Sequence, residues 1–291
     1  MPGSEGRGEG AARKAQGAAR EAQGAPAAGD APRIWLALDA LDRSEAPLGA
    51  AFALARVLRA ELAALFVENA DLFRLAAFPQ AFETRLFGPA GQAPVESEAL
   101  EDALRAQASA LQRQLQRVAR EAGVNWSFRI ARGRIVQQAL EVAEAADCVV
   151  LPSAGIATSI GLSPTLARPR GAQRTAAPAI APGRQIWALP GAGPAGQRVL
   201  EIGHRLVSGA APGRLVLPDD PARAAALRDW LRQQGWRDDW REASLEELLA
   251  ARQRAAGGGT GLLLLPRPTD SADRERLERG LRRAGWPIVM V

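Results

Sequence analysis

Two short stretches of the chain nearly repeat each other: Arg33-Ile34-Trp35-Leu36-Ala37-Leu38-Asp39 and Gln185-Ile186-Trp187-Ala188-Leu189-Pro190. Each opens on Ile-Trp in a strand-like run and leads through a Pro-bearing turn into a helix with apolar periodicity. An internal repeat of this kind restricts the architecture before any single residue is read, because one α/β unit must serve twice. The copies align at Ile34 and Ile186, an offset of 152, and again at Pro152 and Pro266, an offset of 114, so the first copy carries 38 additional residues between its second and third strands.

Between these anchors strand and helix patterns alternate. In the first copy, residues 33–39 read as a strand. Ser44 and Pro47 start a helix carrying Leu48, Phe52, Leu54, Val57 and Leu58, and Leu62 to Val67 is a second strand. A Phe-rich segment (Phe73, Phe78, Phe82, Phe87) precedes a long helix from about Glu98 to Ala122, striped by Leu100, Leu104, Leu111, Leu115 and Val118. A strand over Asn125 to Ala131, a helix over Ile135 to Ala146 and the fully apolar strand Cys148 to Leu151 follow. The second copy is shorter. Its strand 185–190 leads to a helix opened by Pro194 and closed by Gly209, and Leu215 to Leu217 is a strand. Residues 221–234 are helical, Trp240 lies in a third strand, and Ser244 with Glu247 forms a capping box. Leu262 to Leu265 is a buried strand, residues 271–284 a polar helix, and Ile288 to Val291 the last strand. Strands separated by helices of this length require parallel crossovers.

The expected organisation is a disordered tail over 1–31, a first α/β unit over 32–182 and a second over 184–291. The first unit has an insert at about 69–97 and a degraded loop over 153–182. There, Pro164, Pro169, Pro178 and Pro182 prevent a regular helix and leave only Pro178 to Ala181 as a fifth strand.

Composition excludes several classes. The hydrophobic fraction is 47%, enough for buried cores, yet no apolar run approaches the ~20 residues that span a bilayer. The start Met1-Pro2-Gly3-Ser4-Glu5 has no apolar h-region, and Cys148 is the single cysteine, so a cytoplasmic protein without disulfides is expected. The net charge of +5 is carried almost wholly by arginine, with Lys14 the one lysine. From Cys148 to Leu200 there is no Asp or Glu, whereas Arg168, Arg170, Arg174, Arg184 and Arg198 are present, a local basic segment able to meet phosphate.

The strand order, the run Leu65-Phe66-Val67-Glu68, the long amphipathic helix and the closing Pro-Ile-Val-Met-Val together resemble the universal stress protein family in tandem form, over about residues 33–291. The resemblance implies two tandem Rossmann-like parallel-sheet units, no catalysis, and a stress-response, regulatory or interaction role. In that family a carboxylate ends the first strand near the nucleotide, a valine backbone of the second strand meets adenine, and a loop Gly-x2-Gly-x9-Gly-Ser/Thr after the fourth strand cradles phosphates through backbone N–H groups. Asp39 and Val67 occupy the first two places in copy one, and Gly161 and Gly171 match the nine-residue spacing. Thr158 stands at the first glycine, Ala172 at the final hydroxyl, and Gly155 lies nearby at a different spacing. The resemblance therefore implies a degenerate site for ATP or AMP, with Arg168 or Arg170 adding charge, and it suggests dimer-like packing of the two copies. In copy two, Pro190 replaces the strand-end Asp, and the stretch from Arg267 to Asp273 has no glycine and two acids, which disfavour an anion.

One rival motif stands in context. Gly191-Ala192-Gly193-Pro194-Ala195-Gly196 is a literal G-x-G-x-x-G after a strand, and the next strand ends at Asp219-Asp220, as an NAD(P) fingerprint requires. A P-loop and a receiver domain both lack their lysine. Cys148 and His204 are the only strong N/S ligands and lie in different copies, so no metal site is expected. Ser153 lacks a nucleophile elbow. Trp35, Trp187 and Trp286 belong to strands or their starts and read as core; with no tyrosine and one short basic segment, specific nucleic-acid binding is not expected.

Overall fold

Five consecutive residues of the first strand, Ile34 to Leu38, are buried. A strand covered on both faces belongs inside a sheet that carries helices on each side. The computed structural model describes residues 32–39, 46–78, 82–84, 92–94, 97–143, 147–152, 185–191, 193–207, 213–218, 220–233, 240–255, 261–275 and 286–291. Its strands are β1 (Arg33–Asp39), β2 (Glu61–Asn69), β3 (Phe82–Thr84), β4 (Gln92–Pro94), β5 (Trp126–Gly133), β6 (Cys148–Leu151), β7 (Gln185–Ala188), β8 (Gly213–Val216), β9 (Trp240–Ala243), β10 (Gly261–Leu265) and β11 (Ile288–Met290). Its helices are α1 (Ala46–Leu58), α2 (Ala70–Ala76), α3 (Ser97–Ala122), α4 (Ile135–Val142), α5 (Pro194–Val207), α6 (Pro221–Gln233) and α7 (Leu245–Ala255).

The main sheet runs β5-β2-β1-β6-β11-β10-β7-β8-β9, and every neighbouring pair is parallel except β6 with β11. The α/β class is therefore as expected, but the two separate sheets are not present. Strand β11 pairs parallel with β10 and antiparallel with β6, through Ile288–Leu151, Val289–Val150 and Met290–Val149. One strand thus closes both halves. All four residues of β6 are buried, and an edge there without a partner would strand its N–H and C=O groups away from water. The candidate fifth strand Pro178 to Ala181 lies outside the described residues, as does the tail 1–31.

Each half keeps the same strand register. One row reads Trp126–Leu62–Ile34–Cys148 and the other Trp240–Gly213–Ile186–Leu262. Because β6 and β11 run antiparallel, the carboxyl ends of the strands in one half face the opposite sheet edge from those in the other.

Alternation along β1 separates two core layers. Ile34, Leu36 and Leu38 join Phe52 and Leu54 of α1, Leu115 of α3 and Val199 of α5 in one layer, which continues across both halves. Trp35 and Ala37 join Val136 of α4, Leu248 of α7 and Met290 of β11 in the other. Residues Pro32 to Val291 accordingly form one compact unit. The capping box at the start of α7 is formed: Ser244 N–H donates to Glu247 Oε2 and Glu247 N–H to Ser244 Oγ, both at 3.1 Å.

The insert holds structure that its phenylalanine content did not reveal. Asn69 N-caps α2 by accepting from Asp71 N–H at 2.9 Å, and β3 and β4 pair as a separate antiparallel ribbon. Helix α2 packs on the first turns of α3, where Ala76, Leu100, Leu104 and Ala108 cover Phe66.

Candidate functional site

In the first half the chain passes from β1 outward to β2 and β5, then returns to β6 on the other side of β1. Such a reversal opens a crevice at the carboxyl ends of the strands, where open α/β sheets bind ligands. Asp39 is the last residue of β1, and its register partner is Val67 of β2. The half-buried carboxylate thus lies beside a fully buried valine, whose other neighbour is Ala131 of β5. One residue further along, Glu68 holds Arg132 at 3.1 Å, Arg132 reaches Glu101 of α3 at 3.5 Å, and its guanidinium lies 3.9 Å above the Phe73 ring. These charges brace the outer rim, so Asp39 is the strand-end acid nearest the reversal.

Of the expected nucleotide residues, Asp39 and Val67 are brought together. Gly155, Gly161 and Gly171 lie outside the described residues, together with Thr158, Arg168, Arg170 and Ala172.

The corresponding place in the second half needs a correction. Ile34 and Ile186 share a register position, so the residue matching Asp39 is Gly191, one beyond Pro190. A Cβ at Gly191 would approach Pro266 Cγ to 3.2 Å, leaving little room for an aspartate. Of the two acids after β10, Asp270 accepts from Asp273 N–H at 2.7 Å and caps the helical residues 271–275. That Asp serves the helix start.

The glycines of the Gly191–Gly196 turn are explained by the turn itself. Gly193 has φ +78°, a conformation that costs other residues strain. A Cβ on Gly196 would collide with the Gly191 carbonyl oxygen. Asp220, placed where a ribose acid would stand, accepts from Ala222 N–H at 2.9 Å and caps α6; Asp219 lies outside the described residues.

Sequence reasoning missed Asp147, which is 4% exposed. Its Oδ1 accepts from Arg33 N–H at 3.0 Å and its Oδ2 from the Trp35 indole at 2.9 Å. Arg267, from the second half, donates to the carbonyls of Asp147 and Ala143. An acid placed directly before a fully apolar strand was the available signal. Cys148 is 1% exposed, and burial pushes its thiol up to about 11 against the pull of Arg198 and Arg267; it is core, not nucleophile. Among the described residues no group of His, Cys, Asp and Glu could hold a metal ion, and no helix is long and apolar enough to cross a membrane.

No protein-family model matches this chain, and no curated protein matches it. Among solved structures, the chain is similar to a universal stress protein from Archaeoglobus fulgidus DSM 4304, at 12% identity and a TM-score of 0.47 over 88% of this chain and 95% of that one. It is also similar to a functionally unknown protein from Pseudomonas aeruginosa PAO1, at 14% identity and a TM-score of 0.39 over 90% of this chain and 92% of that one.

Proposed function

We propose that this is a non-catalytic, universal-stress-type protein of tandem origin with a regulatory or interaction role in the cytoplasm, and with a degenerate adenine-nucleotide site at the carboxyl ends of β1 and β2. The observation that carries the reading is the register pairing of Asp39 with Val67 beside the strand reversal. A carboxylate there can accept from ribose hydroxyls, and Val67 lies beside it near the same end of the strands. Gly161 and Gly171 are the residues assigned to the phosphates, with Arg168 or Arg170 supplying charge. The tandem origin draws support from the shared register rows of the two halves. The non-catalytic part draws support from how the reactive groups are used: the Cys148 thiol is held neutral by burial, and the Asp147 carboxylate serves the Trp35 and Arg33 donors.

An ATP/AMP-binding sensor is the second reading, favoured by the same Asp39 position and the acid-free stretch from Cys148 to Leu200. Calorimetric titration of the purified chain with ATP, AMP and NADH separates the readings. Heat with ATP or AMP that Asp39→Asn removes supports the site, and a tight response favours the sensor. Silence with both adenine nucleotides removes the nucleotide site and leaves an interaction protein. Binding of NADH alone overturns both in favour of the glycine turn.

A further inference from the structure

We draw no further inference here: the strongest candidate, the apolar cleft of about 500 Å³ lined by Leu245, Leu248 and Leu249 of α7 and by the turns after β7 and β10, has lining charges that are already engaged within the chain, and nothing in the structure shows what covers it.

Discussion

The indole N–H of Trp35 donates to the buried carboxylate of Asp147 at 2.9 Å. The register equivalents in the other half are Trp187 and Gly261, and Trp286 fills the space over Gly261, its ring centroid 5.9 Å from that of Trp187. One half thus satisfies its strand tryptophan with an acid, and the other covers it with a second indole. Among the described residues neither Trp187 Nε1 nor Trp286 Nε1 has an acceptor.

Trp35→Phe should therefore destabilise more than Trp286→Phe. The first removes a buried hydrogen bond to a carboxylate, at about 1–3 kcal/mol beyond the volume change, whereas the second removes a donor that has no partner among the described residues. Asp147→Asn should also cost about 1–3 kcal/mol, because its amide cannot accept from both Arg33 and Trp35. Urea unfolding followed by circular dichroism checks the order, and equal losses for the two tryptophan variants would contradict it.

Two glycines should each lose stability to a methyl group, for different reasons. A Cβ on Gly261 would collide with the buried Trp286 ring, so Gly261→Ala is expected to cost about 1–3 kcal/mol through overpacking, or more if the ring cannot shift. Gly193 has open space around its Cβ position but a φ of +78°. Gly193→Ala should cost only about 1–2 kcal/mol, from backbone strain. Combining Gly261→Ala with Trp286→Phe should recover part of the first loss, and no recovery would separate Gly261 from Trp286.

The sequence carried the strand and helix alternation because burial imposes it: Ile34 to Leu38 and Cys148 to Leu151 have to be apolar to lie between helix layers. The capping box at Ser244 was equally legible, since it is a local contact between residues three apart. What stayed hidden depends on distant partners. Nothing local in Ile288 to Met290 says that it pairs with β6 as well as β10. Helix α2 was obscured by Phe73 and Phe78, although Asn69 with Asp71 was a start signal. At the site, Asp39 and Val67 could be placed because each ends or nearly ends a strand. The exposure on α7 was invisible because Leu245, Leu248 and Leu249 show an apolar helix face but not that Leu245 and Leu249 stay partly in water.

The Cys148 thiol should set the alkaline limit of stability. Its pKa is raised from 9.0 to about 11, chiefly by burial. Below pH 9 both folded and unfolded thiols hold their proton and stability is independent of this group. Between pH 9 and 11 the unfolded state releases the proton first, so stability falls with rising pH, by about 1.4 kcal/mol per unit at most and about 2–3 kcal/mol in all. The chain contains no tyrosine, and Lys14 is its one lysine, so few other side chains titrate in this window. Cys148→Ala should flatten the slope of unfolding free energy between pH 9 and 11. An unchanged slope would assign it elsewhere. Native protein should also react with a thiol reagent at pH 8 only as fast as it opens.

Strand β11 makes the two halves a single cooperative structure. Val289 pairs with Leu264 of its own half and Val150 of the other, and one apolar layer runs from Leu48 and Phe52 to Val199 and Leu262. Arg267 adds a tie across the junction through the carbonyls of Ala143 and Asp147. Exposing either half would leave β6 or β11 with an open buried edge, at the cost of several backbone groups of about 1–3 kcal/mol each. Urea unfolding should therefore give coincident curves by tryptophan fluorescence and far-ultraviolet circular dichroism. Val289→Pro removes the N–H of a strand paired on both sides and cannot be accommodated there, so it should damage both halves together and not release one folded half. Arg267→Met should lower stability by about 1–3 kcal/mol, since two part-buried carbonyls lose a charged donor. Two well-separated transitions in the unaltered protein, one for each half, would mean that the antiparallel β6–β11 pairing contributes little and that the halves stand as independent domains.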